Sequence, residues 1–167
     1  GVDKRIDVLA TAIHAGLKAT ELAELDLAYA PPYSSAKDPV NLAGFMVENI
    51  ENGILKQFHM EEIDQLPKDG SVTLLDTRTP GEYARGHVDG FQNIPVDVLR
   101  EHLDEIEKGK PVYVICQSGL RSYISTRILT GNGYDVYNFS GGFRFYDAVT
   151  NDRCLMETAT ACGMDCK

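Results

Sequence analysis

The sequence predicts an α/β domain on a mostly parallel sheet, preceded by a segment of helices and extended chain. Two observations carry this. Short apolar, β-branched runs at 72–76, 112–115 and 136–139 alternate with helix-like stretches of about ten residues. One of them, Val112-Tyr113-Val114-Ile115, stops at Cys116, and Gln117-Ser118-Gly119-Leu120 then leads to Arg121 and a helix-like run over 122–129. That order is the grammar of a buried strand, a tight loop and a helix N-terminus. In open parallel sheets, ligands gather at the carboxyl ends of the strands. Asp76 and Cys116 both end strands, so one site can hold both.

Taken in order, Ile6, Leu9, Ala10, Ile13 and Leu17 recur at helical spacing and predict a helix over 4–18. His14 lies on its polar side and reads as a solvated helix residue. A second helical patch covers 21–25. Residues 27–33 read as extended, because a residue before proline is pushed out of the helical region, and 34–38 read as a loop. Asp38 as N-cap and Pro39 in the first turn start another helix, striped with Leu42, Ala43, Met46, Val47 and Ile50 and ended at Gly53. Such a segment buries little alone, so its apolar stripes imply neighbours that it lacks. Residues 51–59 read as a linker. A helix over 60–66 ends at Pro67, a turn over 68–71 opens the strand at 72–76, and Pro80-Gly81-Glu82-Tyr83 opens a short helix. Further helices are predicted over 98–107, over 122–129 and from Gly142 to about residue 149. The resulting division is 1–50, a linker over 51–59, a domain over 60–149 and a cysteine-containing tail over 150–167.

The formal charge is −9, from 16 Lys and Arg against 25 Asp and Glu. This argues against nucleic acid as the main partner, and it means that an anionic substrate must be drawn by a local positive site. No apolar run approaches the roughly 18–20 residues needed to span a bilayer, and no signal peptide opens the chain, so the expectation is a cytoplasmic chain without a membrane partner. The four Cys do not form a disulfide scaffold. Cys162 and Cys166 would share a helix face, a spacing that allows a redox pair or a thiol that resolves Cys116 as well as ordinary terminal thiols, but no third and fourth ligand accompanies them, so no metal is expected.

The chemistry centres on Cys116. Read alone, a cysteine at a strand end is a small core residue. The sequence that follows argues for more. Gly119 permits a tight turn, and a helix N-terminus offers unsatisfied N–H groups to an anion such as a thiolate. Arg121 adds a permanent cation with a planar fork of donors. Asp76 and Arg78 read as supporting groups rather than as an acid and base, with Asp76 accepting hydrogen bonds near the loop and Arg78 pairing with Glu82. His87 permits a Cys–His dyad, which an anion pocket makes unnecessary. No Gly-x-Gly-x-x-Gly follows a strand, so no dinucleotide cofactor is expected within these residues.

Two resemblances add to this reading. Arg5-Ile6-Asp7-Val8-Leu9-Ala10-Thr11-Ala12 and the run from Leu27-Ala28-Tyr29-Ala30-Pro31-Pro32-Tyr33 through Asp38-Pro39-Val40-Asn41 resemble the end of the dimerisation domain of flavin-dependent pyridine-nucleotide-disulfide oxidoreductases. The branch is that of NADH oxidases and coenzyme A disulfide reductases. Then Asp76-x-Arg78, Glu82-Tyr83, Gly86-His87-Val88-x-Gly90, Asn93-Ile94-Pro95, Cys116-x-x-Gly119-x-Arg121-Ser122 and Gly141-Gly142 resemble a rhodanese domain over 54–149. The pair looks like the C-terminal piece of a coenzyme A disulfide reductase–rhodanese fusion. The resemblance implies a five-stranded sheet with helices on both faces, preceded by a fragment of an α+β dimerisation domain. It implies that Cys116 carries sulfur as a persulfide, with Arg121 framing a substrate loop of Gln117, Ser118, Gly119, Leu120 and Ser122, and it gives His87 a scaffold role. Related domains that take tetrahedral oxyanions are expected to have one more residue between Cys and Arg, so the loop here fits a single sulfur atom. With Arg121 its only charge, thiosulfate fits less well than polysulfide or a persulfide. The implied partners are a sulfane-sulfur donor, a thiol acceptor, the flavoenzyme domain and a second copy of the chain. FAD, NAD(P)H and coenzyme A are the cofactors implied for that flavoenzyme. The alternative is a non-catalytic rhodanese module that binds or senses thiol redox state.

Overall fold

Helix α1, Val2–Ala15, stops where Gly16 turns left-handed (φ 73°) and its N–H returns to the carbonyl of Ile13. The computed structural model describes residues 1–28, 30, 32 and 35–158, the last four of these by backbone alone. The chain divides into two units, 1–55 and from residue 56 on.

In the first unit, α1 is followed by a 3-10 turn, Ala19–Glu24, and by α2, Pro39–Glu51. Asp38 caps α2 as its sequence predicts, accepting from the Val40 N–H at 3.0 Å, and it pairs with Arg5 at 3.0 Å. Asn41 donates to the carbonyls of Leu22 (3.0 Å) and Leu25 (2.9 Å), fastening α2 to the turn. Gly44 is the closest approach there, since a Cβ would stand 2.3 Å from the Ala23 nitrogen. The small core is Ala12, Leu22 and Val40, with Val8, Leu25 and Leu27 against it. Ile6, Ile13, Leu42, Met46 and Ile50 are exposed, so much of the stripe read from the sequence faces outward. The extended run expected over 27–33 and the loop over 34–38 lie partly outside the described residues.

The second unit is a five-stranded sheet in the order β1-β5-β4-β2-β3, parallel at every pairing. Its strands are β1 Lys56–Phe58, β2 Thr73–Asp76, β3 Gln92–Asn93, β4 Val112–Ile115 and β5 Val136–Phe139. Its helices are α3 Met60–Ile63, α4 Pro80–Arg85, α5 Leu120–Gly131 and α6 Gly142–Thr158. Alternate strand residues point to opposite faces. Leu75, Val112, Val114 and Val136 meet Ile128 and Leu129 of α5 on one face. Phe58, Leu74, Ile115 and Phe139 meet Met60 and Ile63 of α3 and Tyr146 of α6 on the other. Both faces are covered, which explains why the strands read as nearly continuous apolar runs.

Three expectations need correction. The supposed linker contains β1, an edge strand bonded to β5. It has three residues and only Phe58 is buried, too short for a period to register. The helix expected over 98–107 is two 3-10 turns, Leu99–Glu101 and Leu103–Glu105. The Tyr134 hydroxyl donates to the Leu103 carbonyl at 2.7 Å, taking an acceptor that an α-helix would use, while Leu99 and Ile106 fill the core. The last helix continues to Thr158, so the first half of the expected tail is helical and carries an exposed Cys154. Cys162 and Cys166 lie outside the described residues. Among the described residues, no helix is long and apolar enough to cross a membrane.

Candidate active site

β4 delivers Cys116 to the carboxyl edge of the sheet, and α5 begins four residues later. The turn between them depends on Gly119, whose φ of 110° is a conformation that side chains disfavour. This geometry aims the Gly119 N–H at Cys116 Sγ, 3.1 Å away. Ser122, one turn into the helix region, sets its hydroxyl 3.3 Å from the same sulfur and 3.0 Å from the Gly119 carbonyl. A hydroxyl has one proton, so Ser122 can serve the sulfur or the carbonyl but not both at once. The thiol is 1% exposed. It faces two donors, the Gly119 N–H and the Ser122 hydroxyl, at the N-terminus of a twelve-residue helix.

The loop is held from behind by α6. The Phe143 N–H donates to the Cys116 carbonyl (2.7 Å) and the Arg144 N–H to the Gln117 carbonyl (3.1 Å). Gly142 makes this approach feasible, because a Cβ there would fall 2.6 Å from the Ser118 nitrogen and 2.7 Å from the Gln117 carbonyl. Gly142 therefore makes room for the Cys116 loop, while a Cβ on Gly141 would meet the Phe145 side chain at 2.8 Å.

The loop is held from below by Arg78, a guanidinium that is only 1% exposed. Its Nε and Nη2 donate to Asp76, the latter at 2.7 Å, and Nη2 also reaches the Gly86 carbonyl at 2.7 Å. Nη1 donates to Gln117 Oε1 at 3.3 Å, and the guanidinium carbon lies 3.8 Å from the centre of the Phe143 ring. Asn93 closes the group by donating to the carbonyls of Asp76 (2.9 Å) and Arg78 (2.8 Å). A buried ion pair survives only when its remaining donors and acceptors are satisfied, and these contacts do that.

Arg121 pairs with Glu82 instead, through two bonds of 2.7 Å. Glu82 also caps α4, accepting from the Thr79 N–H at 3.0 Å. The Arg121 guanidinium, aided by Thr79, holds the Glu82 carboxyl far below the usual carboxylate range. The expected Arg78–Glu82 pair is thus replaced by Arg78–Asp76 and Arg121–Glu82. Asp76 and Glu82 lie two and four residues from Arg78, so closeness along the chain does not choose Glu82. A readable signal was present in Thr79-x-x-Glu82, a capping-box pattern that turns the glutamate toward its own helix start. The roles of Asn93, Gly86 and Phe143 left no comparable mark. His87 is exposed and stacks on Tyr83 at 3.9 Å, with Nδ1 near the Tyr83 carbonyl.

A model of the rhodanese-like domain matches residues 59–148. The chain belongs to that family. Among solved structures, the reduced CoADR-RHD of Bacillus anthracis aligns with a TM-score of 0.85 and 46% identity, over 90% of this chain and 27% of that one. A NAD-dependent persulfide reductase from A. fulgidus aligns with a TM-score of 0.76 and 41% identity, over 87% of this chain and 26% of that one. A coenzyme A disulfide reductase of Staphylococcus haemolyticus is 52% identical over 50 residues, 30% of this chain and 11% of its own length. The chain spans 57% and 47% of the length of two Bacillus subtilis relatives that it matches. It therefore combines a rhodanese-like domain with a stretch similar to coenzyme A disulfide reductases. The five-stranded parallel sheet is the fold that the resemblance implied.

Proposed function

We propose that this rhodanese-like domain transfers sulfane sulfur through a persulfide on Cys116, and that it feeds a flavin- and NAD(P)H-dependent reductase of coenzyme A disulfides or persulfides. The observation that carries the reading is Cys116 Sγ facing the Gly119 N–H and the Ser122 hydroxyl at the start of α5. The names of the relatives support it, since they include a coenzyme A disulfide reductase, a persulfide reductase and sulfurtransferases.

In the first step the Cys116 thiolate attacks the outer sulfur of a donor R–S–SH. The donor S–S bond breaks, R–S⁻ leaves, and Cys116–S–SH forms with the proton retained on the outer sulfur. In the second step an acceptor thiolate attacks that outer sulfur, the Cys116–S bond to it breaks, and Cys116 returns as a thiolate. Gly119 and Ser122 stabilise the departing Cys116 anion. Arg78, Asp76 and Asn93 keep the loop in register while the sulfur changes hands. Bound to the partner reductase, the flavin and nicotinamide would supply two electrons to reduce the transferred sulfane sulfur. A second copy of the chain fits the dimerisation-domain likeness of the first unit.

The test is to load the chain with polysulfide, remove the excess, and add it to a coenzyme A disulfide reductase with coenzyme A and NADH. The expected result is NADH oxidation in proportion to the sulfur loaded, absent with Cys116→Ser. A loaded chain that drives no NADH oxidation would contradict the feeding role and favour the thiol-sensing reading.

A further inference from the structure

Beside the Cys116 loop lies a cleft of about 380 Å³, lined by Arg78, Glu82, Arg85, Gln117, Phe143 and Asp147, together with Gly86. Its size is within the range of small-molecule sites, roughly 300–1,000 Å³. Gln117, the residue after Cys116, belongs both to the loop and to the cleft.

The charges in this cleft do not all cancel. Arg78 is neutralised by Asp76, and Glu82 by Arg121. Arg85, in the last turn of α4, and Asp147, on α6, are exposed. Among the described residues neither has an ion-pair partner, and they are too far apart to pair with each other. Glu82 and Arg85 share one face of α4, and Phe143 and Asp147 share one face of α6. One cation and one anion thus stand on two walls of the cleft, with Phe143 also in its lining.

A ligand complementary to this arrangement is a zwitterion, with its carboxylate to Arg85 and its ammonium to Asp147. The geometry points to the sulfur acceptor as a small thiol that carries both an α-carboxylate and an α-ammonium, of which L-cysteine is the simplest. This rests on the persulfide reading above. The seated thiolate attacks the outer sulfur of Cys116–S–SH. The bond from that sulfur to Cys116 breaks, the amino-acid persulfide forms with the proton on its outer sulfur, and Cys116 leaves as a thiolate. No oxidant or reductant is consumed. Arg85 and Asp147 set which thiol is accepted, and they do not touch the reacting sulfur atoms.

The test uses the whole chain, loaded with polysulfide and freed of excess. Transfer is followed to L-cysteine, cysteamine and 3-mercaptopropionate at equal thiolate concentrations. An exposed ion pair is worth up to about 1 kcal/mol, so each charge should be worth about fivefold in KM. L-cysteine is expected to have the lowest KM. Arg85→Ala should erase its advantage over cysteamine, and Asp147→Asn its advantage over 3-mercaptopropionate. Equal KM values for the three thiols, or variants that leave the order intact, would overturn the proposal. A binding arm separates this from failure of the persulfide reading. S-methyl-L-cysteine, which cannot accept sulfur, is titrated into the unloaded chain by NMR. Saturable shifts at Arg85, Gln117 and Asp147 that vanish in Arg85→Ala support the cleft even when no sulfur loads, and unmoved signals overturn it.

Discussion

Helices α2 and α5 are of nearly equal length, 13 and 12 residues, and they use their side chains in opposite ways. α2 is the more apolar by sequence, yet it turns Leu42, Met46 and Ile50 outward and buries Val40, Asn41 and Gly44. α5 looks polar, yet it buries Ser122, Ser125 and Thr126 together with Ile128 and Leu129. Small hydroxyl residues let α5 lie close to the sheet. There Ser122 reaches the Cys116 sulfur and Ser125 returns its hydroxyl to the Arg121 carbonyl at 2.9 Å. The difference teaches that an apolar stripe marks a face that is covered somewhere, whereas small polar residues at a strand–helix junction mark a face that works. Ser122 and Ser125 at that junction are held by specific bonds, and the apolar stripe of α2 has no such bonds to lose.

The sharpest way to test the contrast is to empty the most buried charge. Arg78→Ala leaves the buried Asp76 carboxyl without its main partner, a change expected to cost about 3–5 kcal/mol of stability. Denaturant unfolding measures it. A loss below about 1 kcal/mol would place Arg78 among ordinary surface arginines and erase the difference between the two regions.

The Arg121–Glu82 pair is partly open to solvent, with side chains 30% and 22% exposed, so Glu82→Gln should cost only about 1 kcal/mol. Its pH dependence has a definite sign. Arg121 depresses the folded Glu82 value, so the contribution is present above the ordinary carboxylate range of about 4.3 and fades as pH falls below it. The gap in melting temperature between the parent chain and Glu82→Gln should be constant from pH 7 to pH 5 and narrow in more acidic solution. A gap that widened with acid would contradict the assignment.

The smallest effect on stability is expected from α2. Replacing Leu42, Met46 and Ile50 together by Ser removes apolar side chains that are already 44–48% exposed, so each should change stability by about 0.5 kcal/mol or less. Sedimentation should show weaker self-association than in the parent chain. A cost of several kcal/mol would mean that this face is buried within the chain and would break the comparison.

Much of this was legible in the sequence. The Asp38-Pro39 start of α2, the strands ending at Asp76 and Cys116, and the glycine-turned loop into α5 follow from capping, periodicity and backbone freedom, all of which are local. What escaped depends on distant partners. β1 exists because β5 lies beside it. The region of 98–107 fails to become a helix because Tyr134 takes the Leu103 carbonyl. The exchange of partners between Arg78 and Arg121 is set by which guanidinium is enclosed, and charge in a sequence does not announce burial. Arg85 and Asp147 drew no notice because they lie 62 positions apart and meet only where α4 and α6 line one cleft.

The central claim is that Cys116 carries sulfur. Its most direct test is intact-protein mass spectrometry after incubation with polysulfide and, separately, with thiosulfate, on the parent chain and on Cys116→Ser. The account predicts a gain of one sulfur atom from polysulfide in the parent chain and none in the variant. No gain from either donor, with the Cys116 thiol still open to alkylation, would contradict it.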